Sequence, residues 1–284
     1  MFPEVSQSKG RPQGRPFLLL SERIEREGGG MDLTRNQTWL ISGDVSTLHP
    51  EGDLRGSLEF LDGNLCHILT ELNRLSSRGA MDMLTYGPFL ARSLLEVSLT
   101  ALTGRLDPFR LLSIRRIQKS RDYDRQVPWK AAMRWKGDVV ADKLANAWTE
   151  KMDPKEMSRA ALGDFYDILL WQPALKRLSD HCENGVNGRW IPEILAKSAN
   201  GFCSEKRGSL NSLYSELSKA VHYEAVIPLA VLDRVTIVER INKCVREISE
   251  LALVMAFMEH PVGKLDVDRA LSAFSDFENT EVIA

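Results

Sequence analysis

The amino-acid sequence predicts an all-α protein: a helical bundle of four long helices in two antiparallel pairs, with a helical middle insertion. Three observations lead there. Almost every periodic segment repeats its apolar residues at steps of three and four, the spacing of one helix face. No convincing stretch shows the period-two alternation of a half-buried strand. The long periodic segments also come in neighbours joined by short connections, which favours antiparallel packing. The one local exception is Trp39-Leu40-Ile41, expected as a short strand ended by Gly43.

Taken in order, residues 1–30 are polar, rich in Gly and Pro and without period, so they are expected to be disordered or not translated. The second reading follows from the genetic code. Glu25 to Gly30 requires purine-rich, G-rich codons directly before Met31, as in a bacterial ribosome-binding site, so Met31 is an expected natural start. The first helix pair is placed in 31–104. Its first helix runs from Leu54 to Ser77 on the stripe Leu58, Leu61, Leu65, Ile68, Leu69, Leu72 and Leu75, with Gly79 at its C-terminal cap. Its second begins near Pro88 and carries Leu90, Leu94, Val97, Ala101 and Leu102 to a stop at Gly104.

Residues 105–202 form a basic helical insertion. Helices are expected from Asp107-Pro108 to Ile117, from Pro128 to Trp148, and from Met157 to Leu170 with an interruption at Pro173 and a resumption to His181. A short one follows from Trp190 to Ala199, ended by Asn200-Gly201. The second pair occupies 203–262, with helices over 205–223 and from Pro228 to Glu259; Glu239/Lys243 and Arg246/Glu250 form i,i+4 pairs on the outer face of the latter. Residues 263–284 are an acidic tail with one more helix from Val267 to Phe274.

Bulk properties exclude several function classes. A net charge of −2 gives no global steering toward nucleic acid or an anionic membrane, so any such preference is local. The four cysteines are scattered and no CxxC occurs, which favours a reduced, cytoplasmic protein over a disulfide scaffold. Cys66-His67 and His181-Cys182 are adjacent pairs, whereas metal ligands usually leave a gap of two to four residues, so no metal is expected. No P-loop, GxGxxG, HExxH, GxSxG or EF-hand pattern occurs, which removes the common cofactors. The most apolar run, Leu251–Met258, falls short of the ~20 residues a membrane helix needs.

Three groups of residues carry chemistry. On the helix ending near residue 223, Asn211, Ser215, Ser218 and His222 form a polar stripe, and His222 is the one side chain type there with an unperturbed pKa near neutrality. It reads as a general acid or base in a cleft, or as a histidine capping a helix C-terminus beside a small-residue seam. On the second helix Arg92, Glu96, Thr100 and Thr103 share one face, either as an ion pair or with Arg92 supplying the cation that His222 lacks on its own helix. The segment Arg105 to Lys136 is locally basic. Arg110, Arg115, Arg116, Lys119, Arg121, Arg125, Lys130 and Arg134 stand among Tyr123, Trp129 and Trp135, the mixture that holds phosphates and stacks bases. The alternative is a solvated helical face with its Trp residues in the core.

Leu213-Tyr-Ser-Glu-Leu-Ser-Lys-Ala-Val-His222, set near the start of the second helix pair, resembles the HEPN superfamily of helical bundles, and Arg92-Ser-Leu-Leu-Glu96 looks like a second-helix pattern of some members. The resemblance covers the four main helices. It implies metal-independent ribonuclease chemistry, in toxins or defence effectors of bacteria and phage, at a site composed by a homodimer. Catalytic members carry an Arg four to six residues before the His, where this chain has Glu216, Leu217 and Ser218. Arg207 lies fifteen residues before His222, about 22 Å along a helix. The expectation is therefore a non-catalytic HEPN-like module that binds RNA, another nucleic acid or a protein partner. The alternative is a ribonuclease that uses His222 with Arg92, Glu96 and Ser218.

Overall fold

The computed structural model describes residues 30–121, 123, 126, 139–140, 157–158, 161–183, 185, 189–221 and 233–278. These form an all-α bundle of nine helices with one two-residue strand pair. Helix α1, Gly30–Ser42, replaces the strand expected at Trp39–Ile41. Of its buried residues, Thr34, Gln37, Thr38 and Ile41 fall at i, i+3, i+4 and i+7, and Leu40 and Ser42 are buried beside them. The stripe is helical, but three of its four members are polar, so hydrophobic periodicity does not reveal it.

Helix α2, Asp53–Ser76, lies within a residue of expectation and buries Leu58, Leu65, Ile68, Leu69, Leu72 and Leu75. Helix α3, Ala80–Leu106, starts eight residues before Pro88, which sits inside it. Met83, Gly87, Ala91, Leu94, Ser98 and Leu102 run continuously through the proline on the buried side. Gly79 is the N-cap of α3 with φ −64°, while Ser77 caps α2. Helix α4, Pro108–Lys119, is set by its cap: the Asp107 carboxylate accepts from the Arg110 backbone N–H at 3.0 Å, and Pro108 occupies the first turn.

In the middle region Val139–Val140 (β1) pairs antiparallel with Met157–Ser158 (β2), which contradicts the helices expected across both. Adjacent β-branched residues after Gly137 favour extended backbone. The rest of the Pro128–Trp148 expectation lies outside the described residues. A helical turn at Asp164–Tyr166 continues as a π-helical segment, Asp167–Trp171, into α5, Gln172–Cys182. Pro173 directly follows the π-helical segment, so the expected interruption becomes the junction of π and α.

Helix α6 is short, Trp190–Leu195. Asn200-Gly201 does not end it but opens α7, Ala199–Val221, whose buried stripe begins at Phe202 and runs through Lys206, Leu210, Leu213 and Leu217. Asp233 caps α8, Arg234–Ala256, accepting from Thr236 N–H at 2.7 Å. Every residue from Ile248 to Met258 is buried, so α8 runs into the centre of the bundle. Helix α9, Val267–Glu278, extends past the expected Phe274 and packs on α1 and α8 with Ala270, Phe274 and Phe277 buried. Helix α3 is the hub: α1, α2, α4, α7 and α8 all pack against it.

The bundle is locked at one end by Arg105, which is fully buried and faces no carboxylate among the described residues. Its Nη1 donates to the carbonyls of Leu40 (3.2 Å) and Ile41 (3.0 Å), Nε to Val262 O (3.0 Å) and Nη2 to Gly263 O (3.2 Å). Burial pushes its pKa down to about 10, which leaves it a cation at neutral pH. The fit is close. Gly43 has φ +79°, and a Cβ there would stand 2.5 Å from Gly263 O and 2.7 Å from Arg105 Nε. An Arg105→Met protein should lose about 3–5 kcal/mol, because buried carbonyls are left without donors. Gly43→Ala should destabilise in the same direction by more than about 1 kcal/mol. Urea denaturation followed by circular dichroism reads both, and wild-type midpoints would refute the lock.

Candidate functional site

The structure sets Arg92 of α3 against Tyr214 of α7. Arg92 Nη2 donates to Tyr214 Oη at 2.7 Å, Tyr214 Oη donates to Glu96 Oε1 at 3.0 Å, and Arg92 Nε donates to the same oxygen at 3.1 Å. The guanidinium carbon also lies 4.7 Å from the Tyr214 ring centre. Burial, then the hydrogen bond to Glu96, pushes the phenol pKa up. Thus a closed triangle joins α3 and α7. Tyr214 stands seven residues before Val221, the last helical residue, about 10 Å along the axis.

The other members of the two stripes are largely used by their own helices. The hydroxyls of Thr100, Thr103 and Ser218 each donate to a carbonyl one turn back, at 2.7, 2.6 and 2.7 Å. Thr103 is fully buried rather than on a shared outer face with Arg92. Ser215 is exposed and Asn211 half-buried. His222 lies outside the described residues.

The basic segment divides into three. Arg105 belongs to the lock, and Arg110 is mostly buried and pairs with Asp107 at 3.2 Å. On α4, Arg115 and Lys119 share one carboxylate, Asp53 of α2, at 2.9 and 3.2 Å, and Arg115 also donates to Ser57 Oγ at 2.8 Å. The hydrogen bond and charge of Lys119, with the charge of Arg115, hold the Asp53 pKa below the ordinary carboxylate value. Arg116 and Arg121 are exposed, and no carboxylate among the described residues pairs with them. Phe109, 77% exposed, precedes Arg116 by seven residues and so shares its face. Arg125, Lys130, Arg134, Trp129 and Trp135 lie outside the described residues; Tyr123 is half-buried.

A third site was not expected from the sequence. A cleft of about 490 Å³ lies along α6 and α8, over a buried ion network. Lys206, 1% exposed, reaches Glu247 Oε2 at 2.5 Å and also pairs with Glu250. Glu250 takes Arg246 Nε at 2.8 Å and Lys197 at 3.6 Å, and Ser209 donates to Glu247 at 2.7 Å. Arg246 pairs in addition with Glu193. Glu250 is therefore buried at the floor, not on an outer face, because α8 is enclosed all round at that level. The expected Glu239–Lys243 pair does not form. The sequence signal was there: Lys206 occupies the Phe202–Leu210 core register of α7, where a lone charge demands a partner.

Among the described residues no cluster of His, Cys, Asp and Glu could hold a metal ion. The four cysteines are free, and burial pushes the thiols of Cys203 and Cys244 far up, away from nucleophilic thiolates. No described helix is long and apolar enough to cross a membrane. No family model, curated protein or solved structure matches the chain.

The floor network predicts an acid limb. Burial alone would raise the Glu250 carboxyl, but Lys206, Arg246 and Lys197 outweigh it and hold the pKa below 4.5. A depressed carboxyl contributes stability above its unfolded value and loses it as pH falls through the folded one. Thermal unfolding scans should therefore show stability dropping below about pH 4.5, and Glu250→Gln should flatten that drop while lowering Tm at pH 7. An unchanged acid limb in Glu250→Gln would overturn the assignment.

Proposed function

We propose that the chain is a non-catalytic, HEPN-like helical module that binds nucleic acid through α4. The observation that carries the reading is the charge imbalance there: Arg115 and Lys119 share the single carboxylate of Asp53, while Arg116 and Arg121 point to solvent. Phosphates of a strand complete such a set by displacing counterions, and an exposed aromatic on the same face offers a base a stacking surface. Phe109 supplies that surface beside Arg116.

The non-catalytic part rests on Arg92. Its guanidinium is committed to Glu96 and Tyr214, so a phosphate in transit would have to break two hydrogen bonds to recruit it. The position where catalytic HEPN members keep their own Arg holds no Arg here.

Anisotropy of a labelled single-stranded RNA tests both parts. The logarithm of the association constant should fall linearly with the logarithm of salt, by about 0.7 for each phosphate neutralised. Arg116→Ala and Arg121→Ala should each weaken binding and reduce that slope by about 0.7 without changing Tm. Salt-independent binding, or slopes untouched by both variants, would remove the α4 surface. Incubated without metal, the RNA should stay intact; cleavage abolished by His222→Ala would establish the ribonuclease reading instead.

A further inference from the structure

We infer that the cleft along α6 and α8 is a binding site for a small ligand bearing a phosphate group, separate from the α4 surface. The argument is one of unused donor capacity. Every carboxylate around the cleft already accepts from a cation: Glu193 from Arg246, Glu247 from Lys206, and Glu250 from Lys206, Arg246 and Lys197. Two cations of the cleft, Arg189 and Lys243, pair with no carboxylate among the described residues. What enters therefore meets carboxylates that are already paired and two cations that are not, and an anion fits where a cation does not.

Two open cations match a dianion better than a single carboxylate, and a guanidinium with an ammonium is a common phosphate-holding set. Arg189 is held in place. Its guanidinium lies 5.5 Å from the centre of the Trp190 ring, which Arg246 also approaches at 5.2 Å and which packs edge-on against Phe274 at 5.8 Å. The backbone amides of Arg189 and Trp190 donate to the buried Glu278 carboxylate at 2.9 and 3.0 Å. The start of α6 is thus already occupied by an internal anion, and the Arg189 side chain is what remains for a ligand. A volume of about 490 Å³ has room for a mononucleotide-sized molecule, with Trp190 as its aromatic wall.

The ion network gives the floor its rigidity. Lys206 and Glu250 are both nearly inaccessible, so the geometry of Arg246 and Lys197 above them is set by buried partners. A preformed floor spares the ligand the cost of ordering it.

Calorimetric titration of the full chain with inorganic phosphate, adenosine 5′-monophosphate, adenosine and a 5′-phosphorylated oligonucleotide tests the inference. Saturable binding of the phosphate-bearing molecules but not of adenosine is expected, and their relative affinities identify the source of the phosphate. Arg189→Ala and Lys243→Ala, both exposed positions, should each weaken binding about tenfold with the ligand-free Tm unchanged. Arg116→Ala with Arg121→Ala should leave mononucleotide binding intact, which keeps the outcome independent of the α4 reading. No saturable binding at millimolar concentrations, adenosine binding as well as its monophosphate, or affinities untouched by both cleft variants would each overturn it.

Discussion

The guanidinium of Arg105 is the constraint on which the described fold closes. It sits at the end of α3, the helix that five others pack against, and its donors end on the last turn of α1 and on the Val262-Gly263 link that leads to α9. The backbone closes the same contact from both sides: Val262 N–H donates to Arg105 O at 2.9 Å, and Asp44 N–H to Gly263 O at 3.0 Å. A buried cation without a counter-ion is normally costly. Here the C-terminal carbonyls of a helix stand in for the counter-ion, because they carry the negative end of its dipole and lack partners of their own. The left-handed Gly43 and Gly263 are what bring the backbones close enough. Arg177 also reaches the end of α8, donating to Phe257 O at 3.0 Å, but it is exposed and has a carboxylate partner, Glu259, at 2.7 Å.

Elements whose stripes are aliphatic and whose ends carry caps were legible in the sequence. Helix α2 shows seven leucines and isoleucines in register, α4 shows Asp107-Pro108, and the stripe of α8 runs unbroken. What stayed hidden has a common physical cause: residues whose local preference pointed one way and whose tertiary setting decided the other. Thr34, Gln37 and Thr38 bury polar side chains against the core of α1. Pro88 sits within α3 because the surrounding helices supply more than its missing hydrogen bond removes. Asn200-Gly201 opens a helix because Ser198 O accepts from the Gly201 and Phe202 amides, at 2.9 and 3.1 Å.

The candidate sites divide along the same line. Basic clustering on α4 could be read directly, since exposure and charge are both patterned in one short segment. Which of those cations are already spent could not be, because Asp53 stands more than sixty residues from Lys119 and only packing of α2 on α4 brings them together. The cleft was invisible for a related reason. Glu250 reads as the outer face of an amphipathic helix until Lys206, forty-four residues away, is found beneath it.

Arg92 shows how much the partner of a charge decides. From the sequence it is either one half of an ion pair with Glu96 or a cation offered to the histidine-bearing helix, and the second reading needs α3 to lie against α7. In the fold it is also the donor that satisfies Tyr214, a half-buried phenol that in turn donates to the carboxylate of Glu96. Pulling the guanidinium toward a phosphate would leave Glu96 facing the phenol alone and give up the ring contact at 4.7 Å. The Arg92–Glu96 pair is an exposed i,i+4 pair worth a few tenths of a kcal/mol, and the hydrogen bond from Arg92 to Tyr214 adds about 1 kcal/mol. The triangle fastens α3 to α7, and any phosphate that recruited Arg92 would first have to displace it from both partners.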